Sequence, residues 1–86
     1  MATYRIVFKK SVASDLKAIP KRDVVRILRR IDRLTDDPRG KGCEKLSGQE
    51  RYRVRQGNYR ILYQVKDREI VVVVVKVGHR KDIYRK

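Results

Sequence analysis

The residues best suited to chemistry lie in one stretch, Arg51-Tyr-Arg-Val-Arg-Gln-Gly-Asn-Tyr-Arg-Ile-Leu-Tyr-Gln-Val65. Arg51, Arg53 and Arg55 are spaced two apart, so in a strand all three fall on one face. The turn Gln56-Gly57-Asn58 folds the chain back and brings Arg60 close to them. A row of guanidinium groups on a rigid sheet is suited to holding phosphates, because the charge is permanent and each planar fork bonds two oxygens at once.

The flanking sequence must build that sheet. Thr3 to Phe8 alternates and predicts a strand, with Tyr4, Ile6 and Phe8 on one side. Lys9 to Ile19 predicts a helix capped by Ser11, with Val12, Leu16 and Ile19 on one face. Pro20 ends it. A second helix is expected from about Lys21 to Thr35, with Val24, Ile27, Leu28, Ile31 and Leu34 as its apolar stripe. Arg22, Arg26, Arg29, Arg30 and Arg33 cover the rest of its surface and read as a solvated face that also steers toward RNA. The short break at Pro20 makes the two a hairpin whose stripes face one sheet.

Asp36 to Gly42 reads as a loop that leaves Cys43 inert, and Leu46-Ser47-Gly48 as a second irregular point. Strands follow at about 51–55, 59–65 and 69–77, joined by turns at Gln56-Gly57-Asn58 and Lys66-Asp67-Arg68 into an antiparallel meander. The β-branched run Ile70 to Val75 predicts an interior strand covered on both faces. The fold class is therefore α+β: an antiparallel meander and an N-terminal strand, with a two-helix hairpin on one face. Residues 1–86 are expected to form a single domain.

Composition narrows the partners. The chain has 86 residues and a formal net charge of +14. Residues 1–43 and 44–86 each carry 12 basic and 5 acidic side chains, so the folded body itself is basic. Such a body attracts polyanions, nucleic acid first. No segment is long and apolar enough to enter a membrane. One cysteine excludes an internal disulfide and fits a reducing cytoplasm. With one histidine and one cysteine, neither a metal site nor a cofactor is expected.

Alternation also assigns faces. Tyr52 and Val54 oppose the arginines, and Tyr59, Ile61, Tyr63 and Val65 oppose Arg60, Leu62 and Gln64. The apolar set belongs under the helices and the arginine set on the face they leave open. The tyrosines read as packing rather than as platforms for bases. The chain's end, Val77-Gly78-His79-Arg80-Lys81-Asp82-Ile83-Tyr84, leaves the valine strand at one rim. His79, Arg80 and Tyr84 are expected to converge there on Arg53, Arg55 and Arg60, with Lys81 adding charge.

At this point the chain resembles the RelE/ParE toxin superfamily, and within it the RelE branch of ribosome-dependent mRNA endonucleases. The resemblance covers nearly all 86 residues. It rests on Leu46-Ser47-Gly48 before Tyr52-Arg53-Val54-Arg55, on Gly57-Asn58-Tyr59-Arg60-Ile61-Leu62-Tyr63, and on Val77-Gly78-His79-Arg80 ending in Tyr84. It implies an N-terminal strand beside the last strand, and a toxin of a type II toxin–antitoxin pair acting on mRNA in the ribosomal A site. It also implies rRNA contacts through the basic surface, and a RelB-like antitoxin that binds the toxin in a hetero-oligomer. The family's basic positions fall on Arg53 and Arg55, its arginine after the aromatic on Arg60, and its C-terminal arginine and tyrosine on Arg80 and Tyr84.

Metal-free RNA cleavage uses the 2′-hydroxyl as nucleophile on the adjacent phosphate. It needs a base for that hydroxyl, cations for the phosphorane and an acid for the departing 5′-oxygen. Arg60 and Arg80 suit the second task, and Tyr84 can stack on a base or donate to the phosphate. Arg51, Arg53, Arg55 and Lys81 are the expected substrate-binding set. Resembling enzymes often carry lysine where this chain has Arg53 and Arg55, and an arginine does not give up its proton. His79 is therefore the expected general base or acid. The alternatives are a ParE-like inhibitor of DNA gyrase without nuclease chemistry, and a plain RNA-binding module.

Overall fold

The computed structural model describes residues 3–46 and 50–81. Its elements run β1 (Arg5–Phe8), α1 (Lys10–Lys17), α2 (Lys21–Asp32), a 3₁₀ turn (Arg33–Thr35), β2 (Cys43–Lys45), β3 (Arg51–Gln56), β4 (Tyr59–Lys66) and β5 (Val71–His79). The five strands form one mixed sheet in the order β1-β5-β4-β3-β2, antiparallel except where β1 runs parallel to β5. This is the expected α+β arrangement: the hairpin carries the chain from β1 to the far edge, and the meander returns it to β1.

The core lies between helices and sheet. Ile27, Ile31 and Leu34 meet Tyr52, Val54, Ile61, Tyr63, Val65, Val72, Val74 and Val77, with Val12 from α1. Tyr52 and Tyr63 stack with ring centroids 5.7 Å apart, and the buried Tyr63 hydroxyl donates to the Pro38 carbonyl at 2.6 Å. Both tyrosines are packing residues, as expected. Ile27 is completely buried, so its truncation to alanine removes about 2–5 kcal/mol.

Several details differ from expectation. β2 occupies residues read as loop; it is only three residues long, too short for alternation to reveal. Ser11 caps nothing: Lys9 is the first cap of α1, without a side-chain bond, because β1 runs almost directly into the helix. The second helix gives way to the 3₁₀ turn after Asp32. The valine strand is interior to the sheet, but the helices cover only one of its faces. On the helix side Val72, Val74 and Val77 are buried; on the other, Val71 is buried and Val73 half exposed. The turn before it extends through Ile70, whose φ of +54° is strained for a β-branched residue. At the β3–β4 turn, by contrast, the positive φ of +60° falls on Gly57, as a two-residue II′ hairpin requires.

One irregularity changes what the sheet presents. Tyr63 faces Val74 but Leu62 faces Lys76, so Val75 is an extra residue and β5 is bulged. Strict alternation from Val72 and Val74 would carry Lys76, Gly78 and Arg80 to the helix side and His79 to the open face. The bulge reverses this.

Candidate active site

The open face of the sheet is organised in rows of directly opposed residues. One row is Glu44–Arg53–Leu62–Lys76, the next is Arg55–Arg60–Gly78, and a third carries Arg51, Gln64, Val73 and Val7. Opposed residues share a face, so cations from β3, β4 and β5 contribute to one surface. Arg51 stands at the far end of β3 from Arg60, and the other two arginines of β3 lie nearer.

Arg60 occupies the centre. Arg55 is directly across from it on one side and Gly78 on the other, so the side chain meets no obstacle over β5. Its Nη1 is buried and makes no hydrogen bond. Burying part of a cation without a partner is unfavourable, and a directly opposed like charge adds to that. An anion bound here relieves both. Arg55 turns its Nε toward the Gly57 carbonyl at 3.3 Å. Arg53 is ion-paired with Glu44 at 3.1 Å. Among the described residues, Glu44 is the only carboxylate that the strand register places on this face.

The end of β5 divides. Arg80 donates its backbone N–H to the Asn58 carbonyl at 2.8 Å, which ties it to the β3–β4 turn beside Arg55 and Arg60. Alternation after Gly78 gives it the arginine face. His79 takes the opposite side. It pairs with Tyr59, their rings meet edge to face with centroids 5.8 Å apart, and it lines clefts shared with Asp15 of α1 and with Asp23 and Arg26 of α2. Its Nδ1 accepts the Lys81 N–H at 3.2 Å, so in the neutral ring the proton sits on Nε2. The expected convergence of His79 on Arg53, Arg55 and Arg60 is therefore not found; the extra residue at Val75 turns it away. Lys81 is exposed beside it. Tyr84, together with Asp82 and Ile83, lies outside the described residues, as do Ser47 and Gly48.

Sequence reasoning missed Glu44 and Lys76. Glu44 lay in a strand too short to read. Lys76 sits, by simple alternation, among the core valines, yet a charged residue at a position read as buried is itself a bulge signal.

A second arginine cluster has another character. Arg39, in the loop after α2, is ion-paired with Glu50 at 3.1 Å and with Asp67 at 2.9 Å. Its Nε donates to the Tyr52 hydroxyl at 2.7 Å, and its guanidinium lies 5.3 Å from that ring's centroid. The Tyr4 hydroxyl donates to Asp67 at 2.8 Å. Hydrogen bonds from Arg39 are the main reason the Asp67 and Glu50 carboxyls are held below their usual range. Every charge here has a partner.

Among the described residues, no group of three His, Cys, Asp or Glu side chains could hold a metal ion, and no helix is long and apolar enough to cross a membrane.

Comparison with known proteins agrees with this fold. Residues 6–84 match the family model described as the ParE toxin of type II toxin–antitoxin systems, parDE. Toxin RelG of Mycobacterium tuberculosis is similar, at 31% identity over 96% of this chain and 98% of its own length. Among solved structures, the toxin–antitoxin complex RelBE2 of M. tuberculosis aligns with a TM-score of 0.82 at 27% identity, covering 95% of this chain and 97% of the other. The archaeal RelE–RelB complex of Pyrococcus horikoshii aligns with a TM-score of 0.80 at 34% identity, covering 93% and 98%.

Proposed function

This chain belongs to the RelE/ParE superfamily of type II toxins, and from that premise we propose that it is an endoribonuclease that cuts mRNA in the ribosomal A site and so stops translation. The observation that carries the proposal is Arg60, whose buried Nη1 has no partner at the centre of a cationic face. A scissile phosphate bound there receives forked hydrogen bonds from Arg60 and, from the β5 end, from Arg80. Both bonds strengthen as the phosphorane gains charge. Arg55, Arg53, Arg51 and Lys81 hold the flanking phosphates, and Tyr84 stacks on a base. His79 is assigned no proton transfer, because it faces the helices. Glu44, a carboxylate held on the face by Arg53, takes the 2′-hydroxyl proton.

So open a site supplies little alignment of its own, and the ribosome provides it by holding the mRNA. Purified protein should therefore cut ribosome-bound mRNA well and free RNA poorly; equal rates on both would count against ribosome dependence. The inhibitory partner is a RelB-like antitoxin, and a body of net charge +14 favours an acidic one.

A second reading has its own support, since the matching family model is described by its ParE members. On that reading the arginine face binds a protein, DNA gyrase, and cuts nothing. A gyrase supercoiling assay run beside a translation assay separates the two: only the assay of the true target loses activity.

A further inference from the structure

Lys76 is the one side chain that the β5 bulge adds to the arginine face and that can both lose and regain a proton. With Val75 as the extra residue, Lys76 stands directly opposite Leu62 and two residues along β5 from Gly78, which opposes Arg60. That makes it a diagonal neighbour of Arg60, roughly 7–8 Å away at the Cα level, within reach of a lysine stem. It is half exposed and makes no ion pair or hydrogen bond among the described residues. The nearest acid from α1, Asp15, borders the same cleft but is engaged by the Val77 N–H at 3.1 Å. Bulges next to active sites commonly re-aim a side chain, and here the re-aimed one is a proton donor.

We propose that Lys76 is the general acid of the cleavage reaction, an assignment that rests on the nuclease reading above. Glu44 and Lys76 are the two ends of one row, with Arg53 and Leu62 between them. A phosphate seated over that row and against Arg60 has a base on one side and an acid on the other, as in-line displacement requires. The 2′-oxygen bonds to phosphorus while its proton passes to the Glu44 carboxylate. The bond from phosphorus to the 5′-oxygen breaks, and the Lys76 ammonium gives that oxygen its proton. The products are a 2′,3′-cyclic phosphate and a 5′-hydroxyl. Lys76 is left as a neutral amine and Glu44 as a neutral acid, and both are reset by solvent. Arginine is a poor substitute at position 76, because its proton does not leave.

The test uses ribosome-bound mRNA carrying sulfur in place of the bridging 5′-oxygen at the scissile phosphate, since a departing thiolate needs no proton. Lys76→Met should slow the oxygen substrate about 100-fold or more yet cut the sulfur substrate at the wild-type rate. Lys76→Arg should match Lys76→Met on both substrates. Equal slowing of both substrates by Lys76→Met, or recovery of the oxygen rate by Lys76→Arg, would overturn the role and reduce Lys76 to a point charge. A wild-type protein that cuts neither substrate would overturn the nuclease reading and this role together. Unchanged melting temperatures confirm that the variants are folded.

Discussion

Arg39 and Arg60 are the same residue type in the same small protein, and they stand in opposite conditions. Arg39 is surrounded by Glu50, Asp67 and the Tyr52 hydroxyl, and these side-chain bonds join its loop to β3, to the residue before β3 and to the β4–β5 turn. Arg60 faces Arg55, and its buried Nη1 bonds to nothing. A paired arginine stabilises the fold that contains it. An unpaired, partly buried one is held at a cost to that fold, and binding an anion recovers the cost. The difference distinguishes structure from function more sharply than charge alone, because the whole chain is basic.

Arg60→Ala should test the contrast most severely. Ribosome-dependent cleavage is expected to fall about 10²–10³-fold, the usual loss when one preorganised donor to a transition state is removed, while the melting temperature stays level or rises. Arg39→Met should do the reverse, with a melting temperature several degrees lower and cleavage retained wherever the protein is folded. Calorimetry beside a primer-extension assay reads both; a stability loss in Arg60→Ala as large as in Arg39→Met would erase the distinction.

The Arg39 cluster also sets an acid response. Its carboxyls titrate lower in the folded state than their ordinary values of 4.5 for Glu50 and 3.8 for Asp67. Depressed carboxyl values contribute stability that is complete above those ordinary values. It is lost as pH falls through the lower folded values. The wild-type melting temperature should therefore drop as pH falls below about 4, and the curve for Arg39→Met should be flatter there. Matching slopes would show that Arg39 is not the cause.

Smaller effects follow. His79→Ala should leave cleavage within a few-fold of wild type, because the side chain faces Tyr59 and the helices; a loss of 100-fold or more would return it to the chemistry. Ile70→Asn should raise stability by about 1 kcal/mol, because asparagine tolerates the left-handed backbone that isoleucine resists. A lower melting temperature would mean that Ile70, although exposed, contributes packing.

Much of this was legible in the residues. The alternation of Tyr52 and Val54 with Arg51, Arg53 and Arg55 placed the arginine face correctly, and the stripe of Ile27, Ile31 and Leu34 placed the helices against the other side. Alternation failed at Val75, because a run of identical residues carries no phase: nothing in Val71 to Val75 shows where one residue is left over. From that point every side chain changes face, which is why His79 turns to the helices and Lys76 joins the arginine face. The Arg39 cluster was invisible for another reason. Its members come from a loop, the start of β3, a turn and the residue before β1, and no local pattern links them.

The central claim is that the arginine face centred on Arg60 cleaves message on the ribosome. Its most direct test is to map mRNA 5′ ends in cells after controlled expression of wild type, Arg60→Ala and Arg39→Met. The account predicts new 5′-hydroxyl ends in register with codons for wild type and for folded Arg39→Met, and none above background for Arg60→Ala. Growth arrest by the wild-type protein without new ends, or an undiminished cutting pattern from Arg60→Ala, would contradict it.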